Sequence, residues 1–364
     1  MAMKLEWIQA LRAVAAVMVL IAHLTQHELR FLNAALSPLW TSAGVSGVDL
    51  FFVISGFVMV YVTRHMPAGS PYVGRFLYAR ITRIYPPYWL ATLGVLAGYV
   101  VFGSVLSREA GDLNLVTSGL LWPDQDLPIL LVGWTMIHEM YFYLVFAALL
   151  LAPRRLLPVL LAAWLGLAAI AGLMVPSSGS PVFDLVTHPL TAEFVLGCGA
   201  GFLVVSGRRT LAVPVIAAGA LCWIAVTASI AWTGHESMPE GWYRVLAYGL
   251  PATLMVYGAA CLDWSFKAPR ALVALGDWSY ALYLIHLPVI AALARFWSGA
   301  FPDGGPASSI GFLITGGALS LAGAAVMHHL FEKPVLALTR KAGDRMLPAA
   351  RPIADTPREA TKIW

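Results

Sequence analysis

The sequence predicts an all-α, polytopic membrane protein with about 10 transmembrane helices and both termini cytoplasmic. Three observations predict it. Hydrophobic residues make up 59% of the 364 and charged residues only 12%, well under the roughly 25% usual in a soluble domain. Apolar runs long enough to cross a bilayer fill nearly the whole chain. Lysine and arginine are concentrated in alternate gaps between those runs. The formal charge of +4 is therefore read as membrane topology rather than as a nucleic-acid surface.

A bilayer core takes about 20 apolar helical residues. The first such segment, 7–27, follows Lys4 and runs into polar "HLTQHELR" without a small-residue cleavage site, so it reads as a retained span rather than a leader. The others are 44–63, 85–106, 128–152, 156–175, 191–206, 211–232, 242–262, 276–297 and 309–331. Only "SGRR" separates 191–206 from 211–232, which fits a tight helical hairpin. Several segments contain Gly or Pro, tolerable where neighbouring helices satisfy the backbone. With the N-terminus inside, all of the 23 Lys and Arg fall on the cytoplasmic side except Arg30, Arg108, Arg244 and Arg295. The outer loop around 107–127 carries Glu109, Asp112, Asp124 and Asp126. Residues 1–336 thus form one membrane domain, and 337–364 a basic, Pro-containing cytoplasmic tail expected to be disordered. Cys198, Cys222 and Cys261 all fall within spans and read as buried structural thiols, not as a disulfide framework.

The first segment reads "LRAVAAVMVLIAH" and frames an apolar run between Arg12 and His23. Eleven positions on a helix close to within about 20° of three full turns and rise roughly 16 Å, so both side chains share a face. Arg12 either snorkels to the headgroups or grips a ligand. A histidine in the hydrocarbon region needs a hydrogen-bonding partner, and its near-neutral titration suits general-base work. In "SGVDLFFVISGF", Asp49 either caps its own helix or holds the His23 ring in one tautomer. Arg80 and Arg83 share a face at i, i+3, while Arg64 and Arg75 read as ordinary inner-loop charges. In "GWTMIHEMYFYLVF", Glu139 is an acid within the membrane with His138 beside it, and Trp134 and Tyr141 either stack on sugar rings or belong to an aromatic belt.

These residues resemble the acyltransferase-3 family of integral membrane acyltransferases. The resemblance rests on Arg12 and His23, "GVDLFFVISGF" at 47–57, "FLYARITRIYPPYWL" at 76–90, the Trp/Glu segment at 133–146, "EFVLGCGAG" at 193–201, "LGDWSYALYLIHLPV" at 275–289 and "FEKP" at 331–334. The Trp/Glu block looks most like bacterial exopolysaccharide O-acetyltransferases, including the succinoglycan type. The resemblance implies transfer of an acyl group, most often acetyl, from cytoplasmic acyl-CoA to a glycan hydroxyl in the bacterial inner membrane. The carbohydrate acceptor would be lipid-linked or at the cell surface. It implies that Arg12, Arg80 and Arg83 bind the acyl-CoA.

On that reading the CoA phosphates meet the guanidinium forks of Arg12, Arg80 and Arg83, and the pantetheine arm runs along the first helix to His23. His23 then acts as a general base or as a nucleophile, two readings that stay open. Asp49 and Glu139 complete the catalytic set. Trp134, Tyr141, His138, Ser55 and His286 are candidates for the cavity wall, the oxyanion donors or acceptor contacts. Glu332 is expected to pair with Arg80 or Arg83, and Glu193 is either an acceptor ligand or interfacial. No metal is expected: His328 and His329 diverge on a helix and no acid completes a set. No permanently bound cofactor is expected either, and the oligomeric state, a homo-oligomer included, stays open. The alternative class is a transporter or flippase for a glycolipid or proton-coupled solute, since intramembrane His, Asp and Glu also build proton relays. The repeated halves of many transporters are not visible here.

Overall fold

The computed structural model describes residues 5–32, 39–66, 69–102, 114–175, 178–233 and 239–347. Lys4, Arg108, Glu109, Asp112 and the tail beyond 347 lie outside these residues. No strand occurs among the described residues, as expected when backbone groups must be satisfied within each segment in lipid.

The long helices come in chain order with short ones between them. Helix α1 spans Glu6–Leu32, and a 3-10 segment, Leu39–Ser46, leads into α2, Gly47–Thr63. Helix α3 covers Ser70–Phe102, α4 Leu115–Leu120, α5 Gly133–Leu149 and α6 Leu157–Met174. The short α7, Pro181–Val186, precedes α8, Thr191–Val205, and α9, Ala212–Thr233. Helix α10, Gly241–Arg244, passes through a π turn at Val245–Gly249 into α11, Leu250–Leu262. Helix α12 spans Arg270–Ala300. Helix α13, Pro306–Met327, passes through a second π turn, His328–Glu332, into α14, Lys333–Met346.

Eight of these helical segments are long and apolar enough to cross a membrane. Two of the expected ten spans, 85–106 and 128–152, fall on α3 and α5, which are outside that set. Helix α5 has only 17 residues. Helix α3 begins at Ser70, so Arg75, Arg80 and Arg83 stand on a helix rather than in an inner loop, followed by Pro86 and Pro87. The protein is an all-α polytopic membrane protein. Its last helix runs to Met346, past the boundary at 336 where the sequence reading begins the disordered tail.

Helix α1 lies at the centre, between α12, α2 and α13. Helices α6 and α9 are peripheral: only 17% and 11% of their most apolar stretches are buried inside the protein, so Leu167, Ile170, Leu221 and Ile224 face outward. Cys222 is exposed on that outer α9, unlike the buried Cys198 and Cys261. The start of α1 is tied down by its first free N–H groups, with Trp7 N–H donating to Asp263 Oδ1 at 2.9 Å.

Candidate active site

A cavity of about 390 Å³ opens between α1, α2, α3, α5, α12 and the second π turn. Its wall reaches the start of α1 and the end of α2, at Leu5, Gln9 and Tyr61. Arg12, Arg80, Arg83 and Glu139 all line it, so three of the expected donor-binding arginines and one expected acid are brought together.

Glu139 is the hub of the polar wall. Ser55 Oγ donates to Glu139 Oε1 at 2.7 Å, and the Tyr143 hydroxyl donates to the same oxygen. Arg80 is 4% exposed, with its guanidinium 5.6 Å from the Tyr143 ring centre and 5.8 Å from that of Phe76. A buried cation and a half-buried carboxylate bridged by a phenol balance one another. Tyr143 was not singled out from the sequence, although it lies at i+4 from Glu139, where a helix places a side-chain partner.

His23 has a different partner from those expected. Its Nδ1 lies 2.9 Å from the Val19 carbonyl oxygen, and the Nδ1 of His286 lies 3.0 Å from that of Leu282. A carbonyl only accepts, so in the neutral rings both Nδ1 atoms carry hydrogen. The His286 Nε2 is then a lone pair, and it stands 3.3 Å from His23 Nδ1. That leaves His23 Nε2 as an unprotonated, basic nitrogen. The Val19 carbonyl, with His286 beside it, stands at the nitrogen that Asp49 or Glu139 was expected to hold. His23 and His286 do not line the cavity themselves. Tyr283 does, and its ring centre is 5.8 Å from that of His286, while its hydroxyl is 2.9 Å from Thr135 Oγ1.

Asp49 is engaged elsewhere. Its two carboxylate oxygens accept from Arg244 Nε and Nη2, each at 2.8 Å. The register explains the difference. Gly44 lies against Met18 and Ala22, and Gly47 against Ala15 and Val19, so the start of α2 runs past α1 below His23. Glu193 is also fully buried, its carboxylate oxygens without a hydrogen-bond partner. The first π turn makes room for it: a Cβ on Gly249 would come within 3.0 Å of the Glu193 side chain. Arg244 stood out in the sequence only as an exception to the inside-positive count.

The remaining candidates separate. Ser55 lines the cavity. His138 follows a different face of α5 from Glu139, because adjacent helical residues diverge by about 100°. It meets His188 at 4.7 Å and Trp134 at 5.8 Å between ring centres. Trp134 also touches Phe52, and Tyr141 accepts from Trp164 Nε1–H at 3.0 Å. None of these three lines the cavity. Glu332 does line it, but it pairs with His328 across the π turn at 2.9 Å instead of with Arg80 or Arg83. Both π turns thus border clusters of charged residues, as such turns often do at functional sites.

The sequence profile of the Acyl_transf_3 acyltransferase domain matches residues 5–329, nearly the whole of the described bundle. The chain belongs to the acyltransferase-3 family. As a member it is a membrane O-acyltransferase, and the transporter reading gives way. The acyltransferase is similar to the exopolysaccharide production protein ExoZ of Rhizobium meliloti (strain 1021), at 34% identity over 80% of this chain and 90% of that protein. It is also similar to the acyltransferase MdmB of Streptomyces mycarofaciens, at 27% identity over 98% of this chain and 96% of that one. No solved structure matches the acyltransferase.

Proposed function

We propose that this acyltransferase moves an acyl group, acetyl in the simplest case, from cytoplasmic acyl-CoA to a hydroxyl of an exopolysaccharide or another lipid-linked or cell-surface glycan in the bacterial inner membrane. The observation that carries the reading is the cavity. It holds Arg12, Arg80 and Arg83 together and extends to Tyr283, beside the His23–His286 pair. The printed name of the similar ExoZ supports a carbohydrate acceptor.

The donor passes the arginines, and its arm runs parallel to α1 over the roughly 16 Å that separates Arg12 from His23. The acceptor hydroxyl oxygen attacks the thioester carbonyl while His23 Nε2 takes its proton. The new C–O bond gives a tetrahedral oxyanion. That oxyanion collapses, the C–S bond breaks, and the proton passes from His23 to the leaving thiolate. His286 Nε2 accepts from His23 Nδ1–H throughout and stabilises the imidazolium in between. Glu139, charge-balanced by Arg80 and held by Ser55 and Tyr143, positions the arginine wall.

The test uses membranes with matched amounts of wild-type or His23→Ala protein, given labelled acetyl-CoA and lipid-linked glycans. We expect label in the glycan fraction with wild type, and a rate lower by about 10²–10⁴-fold in the variant. Equal transfer by both proteins would remove His23 from the mechanism. Failure of transfer with acetyl-CoA and longer acyl-CoAs alike, with activated donors of another class succeeding, would remove the donor assignment.

A further inference from the structure

A second cleft, about 60 Å³, lies between the arginine-bearing start of α3 and the last helix, α14. It adjoins the large cavity: Arg83 and Leu336 line both. Its charged walls are Arg75, Arg83 and Arg340 against one carboxylate, Asp344. Helix α14 is docked there by specific contacts. The Tyr78 hydroxyl donates to the Thr339 carbonyl at 2.9 Å. Buried Gly343 lies so close to Tyr78 that an added Cβ would come within 2.6 Å of its ring. Arg75 pairs with Asp344.

We infer that α14 is part of the donor site, and that Arg75, Arg83 and Arg340 form a cradle for the nucleotide phosphates of CoA while the acyl arm continues past Arg83 into the large cavity. This rests on acyl-CoA being the donor. The division follows from burial. Arg80 sits within the wall beside Tyr143 and Phe76, a place suited to the arm, whereas the cleft on α14 is open and three-to-one in favour of arginine. A group with several negative charges fits three guanidinium forks through paired, charge-assisted hydrogen bonds. Asp344 pairs with Arg75, so an incoming phosphate competes with that carboxylate.

The experiment measures equilibrium binding of CoA, and of pantetheine, which lacks the nucleotide phosphates, to the purified full-length protein in lipid nanodiscs. Arg340→Ala should weaken CoA about 10-fold, the loss of one charge-assisted contact, and leave pantetheine unchanged. Asp344→Asn should tighten CoA several-fold by freeing Arg75. A merely structural role for the Arg75–Asp344 pair would make that variant bind more weakly or not differ. Arg340→Lys should recover part of the loss. CoA binding that ignores both Arg340→Ala and Asp344→Asn overturns the cradle alone. Absence of CoA binding by the wild type overturns the donor assignment together with it.

Discussion

Asp49 and Glu193 are both 0% exposed beside one guanidinium, that of Arg244, which donates to both oxygens of Asp49. Removing one partner of a buried pair leaves an uncompensated charge, a loss of about 3–5 kcal/mol. The two sides of this cluster are not equivalent. Without Asp49, Arg244 still has Glu193 as an acidic neighbour; without Arg244, the two acidic side chains are left with no cation between them. Arg244→Gln should therefore lower the unfolding temperature of the detergent-solubilised protein more than Asp49→Asn does. Equal shifts would show that Glu193 does not compensate. At this scale the sequence was legible in which residue types gather at the cavity, as with Arg12, Arg80, Arg83 and Glu139. It was not legible where the partner is set by the relative register of two helices, which is why His286 and Arg244, and not Asp49 and His23, form the pairs.

Among the elements, the α2–α8 seam shows how glycine spacing sets helix approach. Gly56 and Gly197 face one another so closely that a Cβ on either would collide with the opposite backbone, at Phe194 or Val53. Cys198 Sγ reaches the Gly56 carbonyl at 3.4 Å. Small residues at such spacing bring membrane helices together where no hydrophobic force distinguishes lipid from protein. Gly199, on the same helix, has nothing near its Cβ position. Gly197→Ala should destabilise by about 1–3 kcal/mol through forced separation of the helices. Gly199→Ala should be neutral or stabilising by up to about 1 kcal/mol from helix propensity. Thermal unfolding of the two variants side by side tests this, and similar losses would mean that the seam tolerates a methyl group. The helices themselves were readable as apolar runs. The amphipathic ones were not: α14 has the composition of a solvated tail, and its helical state depends on Tyr78 and Arg75 of α3, far away in sequence.

For the molecule as a whole, the arginine asymmetry has a structural counterpart at one end of the bundle. Arg64 donates to the Tyr61 carbonyl at 2.6 Å, Arg154 to that of Met66 at 2.8 Å, and Arg209 to that of Val204 at 3.3 Å. Arg64 and Arg209 thus bind last-turn carbonyls of α2 and α8, which satisfies free backbone oxygens and complements the helix dipoles. Positive charge is concentrated at this end, which the wall of the large cavity reaches and where α14 docks. The acidic Asp124 and Asp126 stand at the opposite turn, where Gln125 reaches the Gly179 carbonyl at 2.8 Å. If the arginine end is cytoplasmic, the proposed acyl-CoA donor would meet the cavity from its own compartment. In a background with all three native cysteines replaced by serine, Asp126→Cys should react with a membrane-impermeant maleimide in intact spheroplasts. Ser206→Cys, in the hairpin between α8 and α9, should react only after permeabilisation. The reverse pattern would turn the bundle over and place the arginine-lined end of the cavity on the wrong side of the membrane for a cytoplasmic donor.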